Sequence, residues 1–303
     1  MIKNILVARD FSPSSEQALA YALNVGRRSG AKLHMVAIKV VGKDPFEAPK
    51  VSAEPIDKLQ EKFIRKNKES LERQEANVDG VEVKHHVDRG SAAAPRLVRF
   101  AERKNIDLIV MGTHGRRGVR RAWFGSVAEE VVRTAPCPVF VTRAAENETV
   151  FEPTVNRVVA PVDFSYPSRK AMHYAGQIAD LYGVPLRLIH AVEEQRMPSV
   201  YNLKPSQTST RETRSRAEEA LKEWGDEVKQ DGRKISYVVH RGDADETIIE
   251  SASHREDLVV MATRGLSGMR RAMLGSVAAR VIRSVKGPVI TGVDFPDVEQ
   301  YIE

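Results

Sequence analysis

The glycines of one short segment indicate a phosphate-binding loop. Gly112 and Gly115 lie three residues apart, and after nine intervening residues Gly125 and Ser126 open a predicted helix. Glycine lets the backbone approach a phosphate closely, and the unpaired N–H groups at a helix N-terminus attract an anion. No lysine completes a G-x-x-x-x-G-K-S/T loop, so the segment is not the common P-loop. The Gly-x2-Gly-x9-Gly-Ser pattern therefore predicts a phosphate cradle of another kind.

The second half of the chain repeats this segment with one replacement. Gly265, Gly275 and Ser276 recur 150 residues after their counterparts, whereas Ala262 replaces the first glycine. If that position needs a positive φ or a close phosphate approach, the added methyl group weakens binding; with a negative φ, alanine is tolerated. We therefore expect the first copy to bind a phosphate-bearing ligand more strongly than the second.

An aspartate follows the first predicted strand of each repeat. Asp10 and Asp163 both begin the sequence Asp-Phe-Ser, and the residue before them is Arg9 in the first repeat and Val162 in the second. Ligands of parallel sheets bind beyond the carboxyl ends of the strands, so Asp10 is placed to accept a hydrogen bond from a ligand. The alternative is that Asp10 only helps to cap the helix that begins near Ser12.

Alternating strands and helices must position these residues. Short apolar runs rich in β-branched residues predict strands buried on both faces, and helical spacing of apolar residues lies between them. This alternation is typical of an α/β fold with a parallel sheet covered by helices on both faces. We expect two tandem domains, at residues 1–145 and 154–303, joined by a polar link at 144–153. The predicted strands are residues 5–8, 33–40, 81–87, 108–111 and 139–142, then 158–162, 186–191, 235–239, 258–261 and 289–291.

Four helices are predicted in the first copy. The first follows the N-cap candidate Ser12 and ends at Gly30, and the second, at residues 55–77, has Ile56, Leu59 and Phe63 on one face. The third and fourth are predicted at residues 92–104 and 126–133, and residues 41–53 and 194–210 are expected to be surface loops.

The composition narrows the classes of protein and partner. The chain has 303 residues, of which 42% are apolar and 29% charged, as in a globular protein of two domains. Its net charge of +6 is spread among mixed charges, which argues against nucleic acid as a partner. No stretch approaches the ~20 apolar residues that span a bilayer, and the first residues do not resemble a secretory leader. We therefore expect a cytoplasmic protein that does not engage a membrane.

Histidine and cysteine provide no predicted metal site. His85 and His86 are neighbours in a predicted strand and must point to opposite faces, which opposes joint metal ligation. The single cysteine, Cys137, lies between two prolines and is expected to pack beside the fifth strand. No catalytic residue is predicted.

The glycine motif and the strand that precedes Asp10 together resemble the universal stress protein family. The segment Gly112-Thr113-His114-Gly115, followed after nine residues by Gly125-Ser126-Val127, is similar to that family's ATP-binding motif. The resemblance covers both halves and implies two such domains in tandem, each with a five-stranded parallel sheet. It also implies that the strand-one aspartate and the end of strand two hold the adenosine, whereas the glycines and the serine hold the phosphates. The implied site residues are Asp10, Ala37, Met111, Gly112, Gly115, Gly125, Ser126 and Val127, and in the second copy Asp163, Ala191, Met261, Gly265, Gly275, Ser276 and Val277.

The resemblance implies a cytosolic stress-response regulator that binds ATP, with Mg²⁺ as an accompanying ion, and that acts on a protein partner not identified by the sequence. Two alternatives stay open: a slow ATPase or phosphotransferase, and an interaction protein that uses no nucleotide. We further expect the two copies to form an internal pseudo-dimer through their last strands, with a homodimer as a second assembly.

Overall fold

The chain forms two compact units that follow one another in sequence. The computed structural model describes residues 2–41, 55–73, 80–113, 125–143, 150–193, 210–264 and 274–296. Domain 1 comprises Met1–Pro153 and domain 2 comprises Thr154–Glu303. Each has strands and helices in alternation, which confirms the predicted α/β fold.

Domain 1 contains a five-stranded parallel sheet in the order β3-β2-β1-β4-β5. Its elements are β1 (Asn4–Ala8), α1 (Pro13–Ser29), β2 (Lys32–Val40), α2 (Ile56–Glu72), β3 (Val83–Gly90), α3 (Ala93–Arg103), β4 (Leu108–Gly112), α4 (Ser126–Thr134) and β5 (Val139–Thr142). Strands β1 and β4 lie at the centre and are almost wholly buried, because helices cover both of their faces.

Domain 2 repeats this arrangement, with strand order β10-β9-β6-β7-β8 and every described pair parallel. Its elements are β6 (Arg157–Pro161), α5 (Tyr166–Tyr182), β7 (Leu186–Val192), α6 (Thr210–Asp226), β8 (Ile235–Arg241), α7 (Ala244–Ser251), β9 (Asp257–Ala262), α8 (Ser276–Ser284) and β10 (Val289–Gly292).

The first helix of domain 1 begins and ends where the sequence predicts. The Ser12 side chain accepts a hydrogen bond from the backbone N–H of Ser15, and Pro13 occupies the first turn, where its missing N–H costs nothing. Gly30 ends the helix with φ of 71°, a left-handed conformation that glycine adopts without strain. Both helix signals are confirmed.

The face of α2 that the sequence predicts is buried only towards the end of the helix. Ile56 is 42% exposed and Leu59 is only half-buried, whereas the buried side chains are Phe63, Asn67 and Ser70. The helix packs on a part of the sheet where polar groups need hydrogen-bond partners, so two of its three buried positions are polar. Apolar periodicity marks this face through Phe63 but does not find the polar residues that continue it.

Strand β3 extends beyond its predicted end. It pairs with β2 from Val83 opposite Leu33 to Gly90 opposite Val40, three residues past the predicted boundary. Charged residues end the apolar pattern at Val87, but β3 is the edge strand of this sheet, where polar side chains remain in water.

The two adjacent histidines of β3 point to opposite faces, as predicted. His85 lies 3.3 Å from the side-chain amide of Asn67 in α2. The His86 ring stacks on His34 of β2, with 3.1 Å between His34 Nδ1 and His86 Nε2, and also contacts Phe100 of α3. Burial, and then the positive charge of a protonated His34, lower the pKa of His86 to about 4.

This histidine pair predicts an acid-dependent loss of stability. A histidine is protonated in the unfolded chain below about pH 6.5, whereas His86 stays neutral in the fold down to about pH 4. The free energy of unfolding should therefore fall as the pH is lowered from about 6.5 towards 4. His86→Gln should flatten this fall, and His240→Gln, at an exposed position, should not. Urea unfolding at several pH values measures both; equal slopes in wild type and His86→Gln would contradict the assignment.

Candidate functional site

Three predicted site segments of domain 1 meet at the carboxyl edge of its sheet. Strands β1 and β4 are neighbours, so the residues after β1 and the end of β4 lie side by side. The N–H of Gly125 donates to the carbonyl of Thr113 at 2.8 Å, which fixes the start of α4 against the end of β4. Gly112 in turn lies against the first turn of α1, near Ser14. The Asp10 turn, the end of β4 and the N-terminus of α4 therefore form one local arrangement.

Asp10 shapes the turn between β1 and α1. Its Oδ1 accepts hydrogen bonds from the N–H of Ser12 at 3.0 Å and from the Ser12 hydroxyl at 2.7 Å. Between them, Phe11 has φ of 61°, a left-handed conformation that is rare for a bulky residue. The carboxylate thus supports both a strained turn and the serine that caps the helix.

Domain 2 repeats the turn closely. Asp163 Oδ1 accepts from the N–H of Ser165 at 3.0 Å and from its hydroxyl at 2.5 Å, and Phe164 also has φ of 61°. Ser165 caps α5 by accepting from the N–H of Ser168. The duplicated Asp-Phe-Ser sequence therefore encodes the same backbone geometry in both domains.

Gly112 has a packing role that the sequence does not reveal. A Cβ atom at this position would lie 2.7 Å from the backbone carbonyl of Ser14, closer than real Cβ atoms approach. Gly112 does not have a positive φ, so the constraint is the close approach of α1. Ala262, its counterpart in β9, also has no positive φ and is accommodated in the sheet, which meets the condition under which alanine is tolerated.

The N-terminus of α4 has the features of an anion site. Gly125 is the N-cap residue, with φ of −61° and ψ of 139°, and it provides no side-chain cap. Ser126 and Val127 follow at exposed positions, so the first N–H groups of the helix lack the side-chain acceptor that a serine or aspartate cap supplies. The start of α8 in domain 2 has the same geometry, with Gly275 followed by Ser276 and Val277.

The strand-two residues predicted for the two domains are not in equivalent register. In domain 1 the Arg9 N–H donates to the carbonyl of Val36, directly before Ala37. In domain 2 the equivalent bond joins the Val162 N–H to Ile189, so His190 occupies the place of Ala37. Ala191 lies one residue further, on the opposite face of the strand. The prediction treated Ala37 and Ala191 as counterparts, and the strand pairing corrects it.

The remaining predicted site residues divide into two groups. Met111 and Met261 are the residues before the last in β4 and β9, and they are buried, with 4% and 5% of their surface exposed. Gly115 and Gly265 lie outside the described residues.

Cys137 is buried, and burial raises the pKa of its thiol to about 12, so it packs as a small apolar group as expected.

A buried arginine next to Asp10 is a feature that the motif search missed. The Arg9 guanidinium has no exposed surface and forms an ion pair with Glu16 of α1 at 2.8 Å. It also donates to Asn67 at 3.2 Å and Ser70 at 3.2 Å, the two polar residues on the inner face of α2. Burial lowers the pKa of Arg9, and Glu16 opposes that shift. The only sequence signal was the difference between Arg9 and Val162.

Domain 2 holds its second helix through an ion pair, and the charge on its first helix is opposite to that in domain 1. Arg169 occupies the fourth position of α5, as Glu16 does in α1, and forms a two-pronged ion pair with Glu227 after α6, at 2.8 and 2.7 Å. His173 lies 3.0 Å from the same carboxylate, and the Arg169 guanidinium lies 5.4 Å from the Trp224 ring. In each domain, hydrogen bonds from a buried or half-buried guanidinium group thus hold the second helix against the first.

Within the part of the chain that the structure describes, no group of three or more His, Cys, Asp or Glu side chains could hold a metal ion. Nor do the described helices include one with the length and apolar character needed to cross a membrane.

Comparison with known proteins identifies the family of proteins that has this fold. The family model described as "Universal stress protein family" matches residues 1–143 and 154–291. The chain therefore belongs to the universal stress protein family and carries two such domains in tandem. A universal stress protein of Methanocaldococcus jannaschii is 34% identical over 150 residues, which cover 49% of this chain and 86% of that protein.

Solved structures share the fold over nearly the whole chain. The crystal structure of a universal stress protein from Archaeoglobus fulgidus matches with a TM-score of 0.65 and 21% identity, covering 97% of both chains. A functionally unknown protein from Pseudomonas aeruginosa matches with a TM-score of 0.62 and 18% identity, covering 96% of this chain and 92% of its own.

The close approach of α1 to β4 gives a test of the role of Gly112. Gly112→Ala should lower the free energy of unfolding by about 1–3 kcal/mol, the usual cost of overpacking, because the new Cβ would overlap the Ser14 backbone. Gly90→Ala is the control, since its closest contacts are with the flexible side chain of Arg96. Chemical denaturation compares the two. A stable Gly112→Ala variant would show that α1 moves away at little cost.

Proposed function

We propose that domain 1 binds ATP and that nucleotide occupancy, rather than catalysis, is the means by which this universal stress protein acts on a partner. The observation that carries the proposal is the uncapped start of α4, which is fixed against the end of β4 and lies at the same edge as the Asp10 turn. Helix N-termini bind phosphate through unpaired N–H groups and the helix dipole.

In this proposal the phosphates lie at Gly125, Ser126 and Val127, and the adenosine lies towards Asp10 and Ala37. Asp10 accepts a hydrogen bond from the nucleoside, which adds to its hydrogen bonds with Ser12. Met111 and Gly112 form the floor between the two ends, and Gly115 belongs to the same loop. Mg²⁺ accompanies the phosphates as it does in solution, and we expect a cytoplasmic location.

The equivalent residues of domain 2 form a second candidate site. The turn at Asp163 and the start of α8 at Gly275 and Ser276 repeat the geometry of domain 1, with Val277 and Met261 in the corresponding places. Gly265 is the sequence counterpart of Gly115. Ala191 is proposed only for its backbone, since its side chain faces away from the position that Ala37 has in domain 1. We propose that binding here is so much weaker than in domain 1 that only the domain 1 site is measured in the wild-type chain.

Separating the ligand contact of Asp10 from its structural role requires two substitutions. Asp10→Ala removes the acceptor for Ser12, so it should lower both the melting temperature and the ATP affinity. Asp10→Asn keeps an acceptor oxygen for Ser12 but removes the charge, so the melting temperature should change little. Because a hydrogen bond to a charged group contributes about 1.5–3 kcal/mol, Asp10→Asn should weaken ATP binding about tenfold or more.

Calorimetric titration of the full chain with ATP, together with thermal unfolding, measures both effects. The matched control is Asp163→Asn, which makes the same change in domain 2 and should leave the domain 1 affinity unaltered. An Asp10→Asn variant that binds ATP as well as wild type would reject the adenosine contact and leave only the role in the turn.

Gly125→Asp tests the phosphate end of the site without harming the helix. The backbone angles of Gly125 are open to any residue, and aspartate is a favoured N-cap, so α4 should be as stable as before or more so. Its carboxylate would satisfy the same N–H groups and repel the phosphates, and ATP binding to domain 1 should be lost. Gly275→Asp is the matched control in domain 2. Undiminished affinity of Gly125→Asp would disprove the cradle.

Two measurements distinguish the other functions. Release of phosphate in the presence of Mg²⁺, abolished by Gly125→Asp, would support a slow ATPase. Absence of any heat of binding with ATP, in a chain that unfolds cooperatively, would support an interaction protein that uses no nucleotide.

A further inference from the structure

Strand β7 of domain 2 has a buried imidazole where domain 1 has a methyl group. The equivalent hydrogen bonds, from Arg9 to Val36 and from Val162 to Ile189, are both 2.8 Å long and place His190 in register with Ala37. Ala37 is half-buried, whereas only 4% of the surface of His190 is exposed. The same place in the two folds therefore holds a small, half-buried side chain in one and a large, buried one in the other.

The imidazole of His190 is held in one orientation. Its Nδ1 lies 2.6 Å from the carbonyl oxygen of Val162. A carbonyl can only accept, so Nδ1 carries the proton and donates it. Burial lowers the pKa of His190, which keeps the ring neutral. A neutral, hydrogen-bonded ring in a packed site leaves its place only if that hydrogen bond is broken.

His190 belongs to a layer of aromatic rings beside the Asp163 turn. Its ring centroid is 4.7 Å from that of Phe164, and Phe164 meets Trp224 of α6 edge-on at 5.2 Å. Because Phe164 is the left-handed residue directly after Asp163, this layer begins at the turn itself.

The corresponding side of domain 1 is built differently. Phe11 meets Phe63 of α2 at 5.6 Å, and its ring lies 5.0 Å from the guanidinium of Arg9 and 5.2 Å from the ammonium of Lys66. Ala37 adds only a methyl group on this face. The two domains therefore share the Asp-Phe-Ser turn and differ in what fills the space next to it.

We propose that His190 is a specificity-determining residue that closes domain 2 to the adenine base, so that the chain binds adenine nucleotide in domain 1 alone. The proposal rests on the placement of adenosine between Asp10 and Ala37 in domain 1. It assigns the difference between the domains to His190 and not to Ala262, whose backbone needs no glycine.

Removing the ring tests the proposal directly. Calorimetric titration of the full chain with ATP should give one site for wild type and two for His190→Ala, with the affinity of domain 2 raised about tenfold or more once the overlap is relieved. His190→Phe restores the bulk and should return the count to one. His254→Ala, which removes an imidazole that is 71% exposed, should behave as wild type.

The reverse substitution keeps the test valid if His190→Ala unfolds. Ala37→His should place a ring in domain 1 and abolish its binding, whereas Ala37→Ser should retain it. Two sites in wild type, one site in a folded His190→Ala variant, or full binding by Ala37→His would each overturn the proposal. If wild type binds no ATP and His190→Ala gains one site, the role of His190 stands and the proposal that domain 1 binds ATP fails. If neither wild type nor His190→Ala binds ATP, both proposals are overturned.

Discussion

The hydrogen bonds from Ser12 to Asp10, and from Ser165 to Asp163, are the interactions on which each domain depends. They hold a phenylalanine with φ of 61°, a conformation that costs of order 1–3 kcal/mol and persists only when its surroundings fix it. The turn sets where the first helix begins. In domain 1 the start of this helix lies against Gly112, so the turn also determines how closely β4 approaches α1. Thr113, directly after Gly112, accepts the hydrogen bond from Gly125 that fixes the start of α4. A local backbone constraint thus extends across the whole candidate edge.

Most element boundaries, including those that form this edge, were predicted from the sequence. Apolar runs located β1, β4 and β5 within one residue at each end, and Ser12 and Gly30 marked α1 correctly, because these signals are local. The buried polar residues of α2 and the register of β7 were missed for a different reason. Asn67 and Ser70 are buried because Arg9 needs them, and His190 replaces Ala191 because backbone hydrogen bonds with β6 set the alignment. Both features depend on partners that are distant in sequence, and neither composition nor periodicity carries information about such partners.

The candidate site was predicted in part for the same reason. The glycine spacing located the start of α4, whose uncapped N–H groups the structure describes, but it gave Gly112 a role towards a ligand. The structure supplies a second reason for that glycine, the contact with Ser14. A motif written in residue types cannot distinguish a glycine needed by the ligand from one needed by the neighbouring helix, since both appear as the same letter.

The reversed charge at the fourth position of the first helix, Glu16 in α1 and Arg169 in α5, bears on how a chain with two copies of one fold avoids misfolding. Tandem repeats are prone to exchange equivalent elements while they fold. Exchange of α2 with the α6 segment would bring the carboxylates of Glu16 and Glu227 into one cluster and would deprive Arg169 of its carboxylate. Both changes disfavour the exchanged arrangement, because carboxylates repel one another and Arg169 loses a charge-assisted, two-pronged hydrogen bond, so pairing within each repeat is favoured.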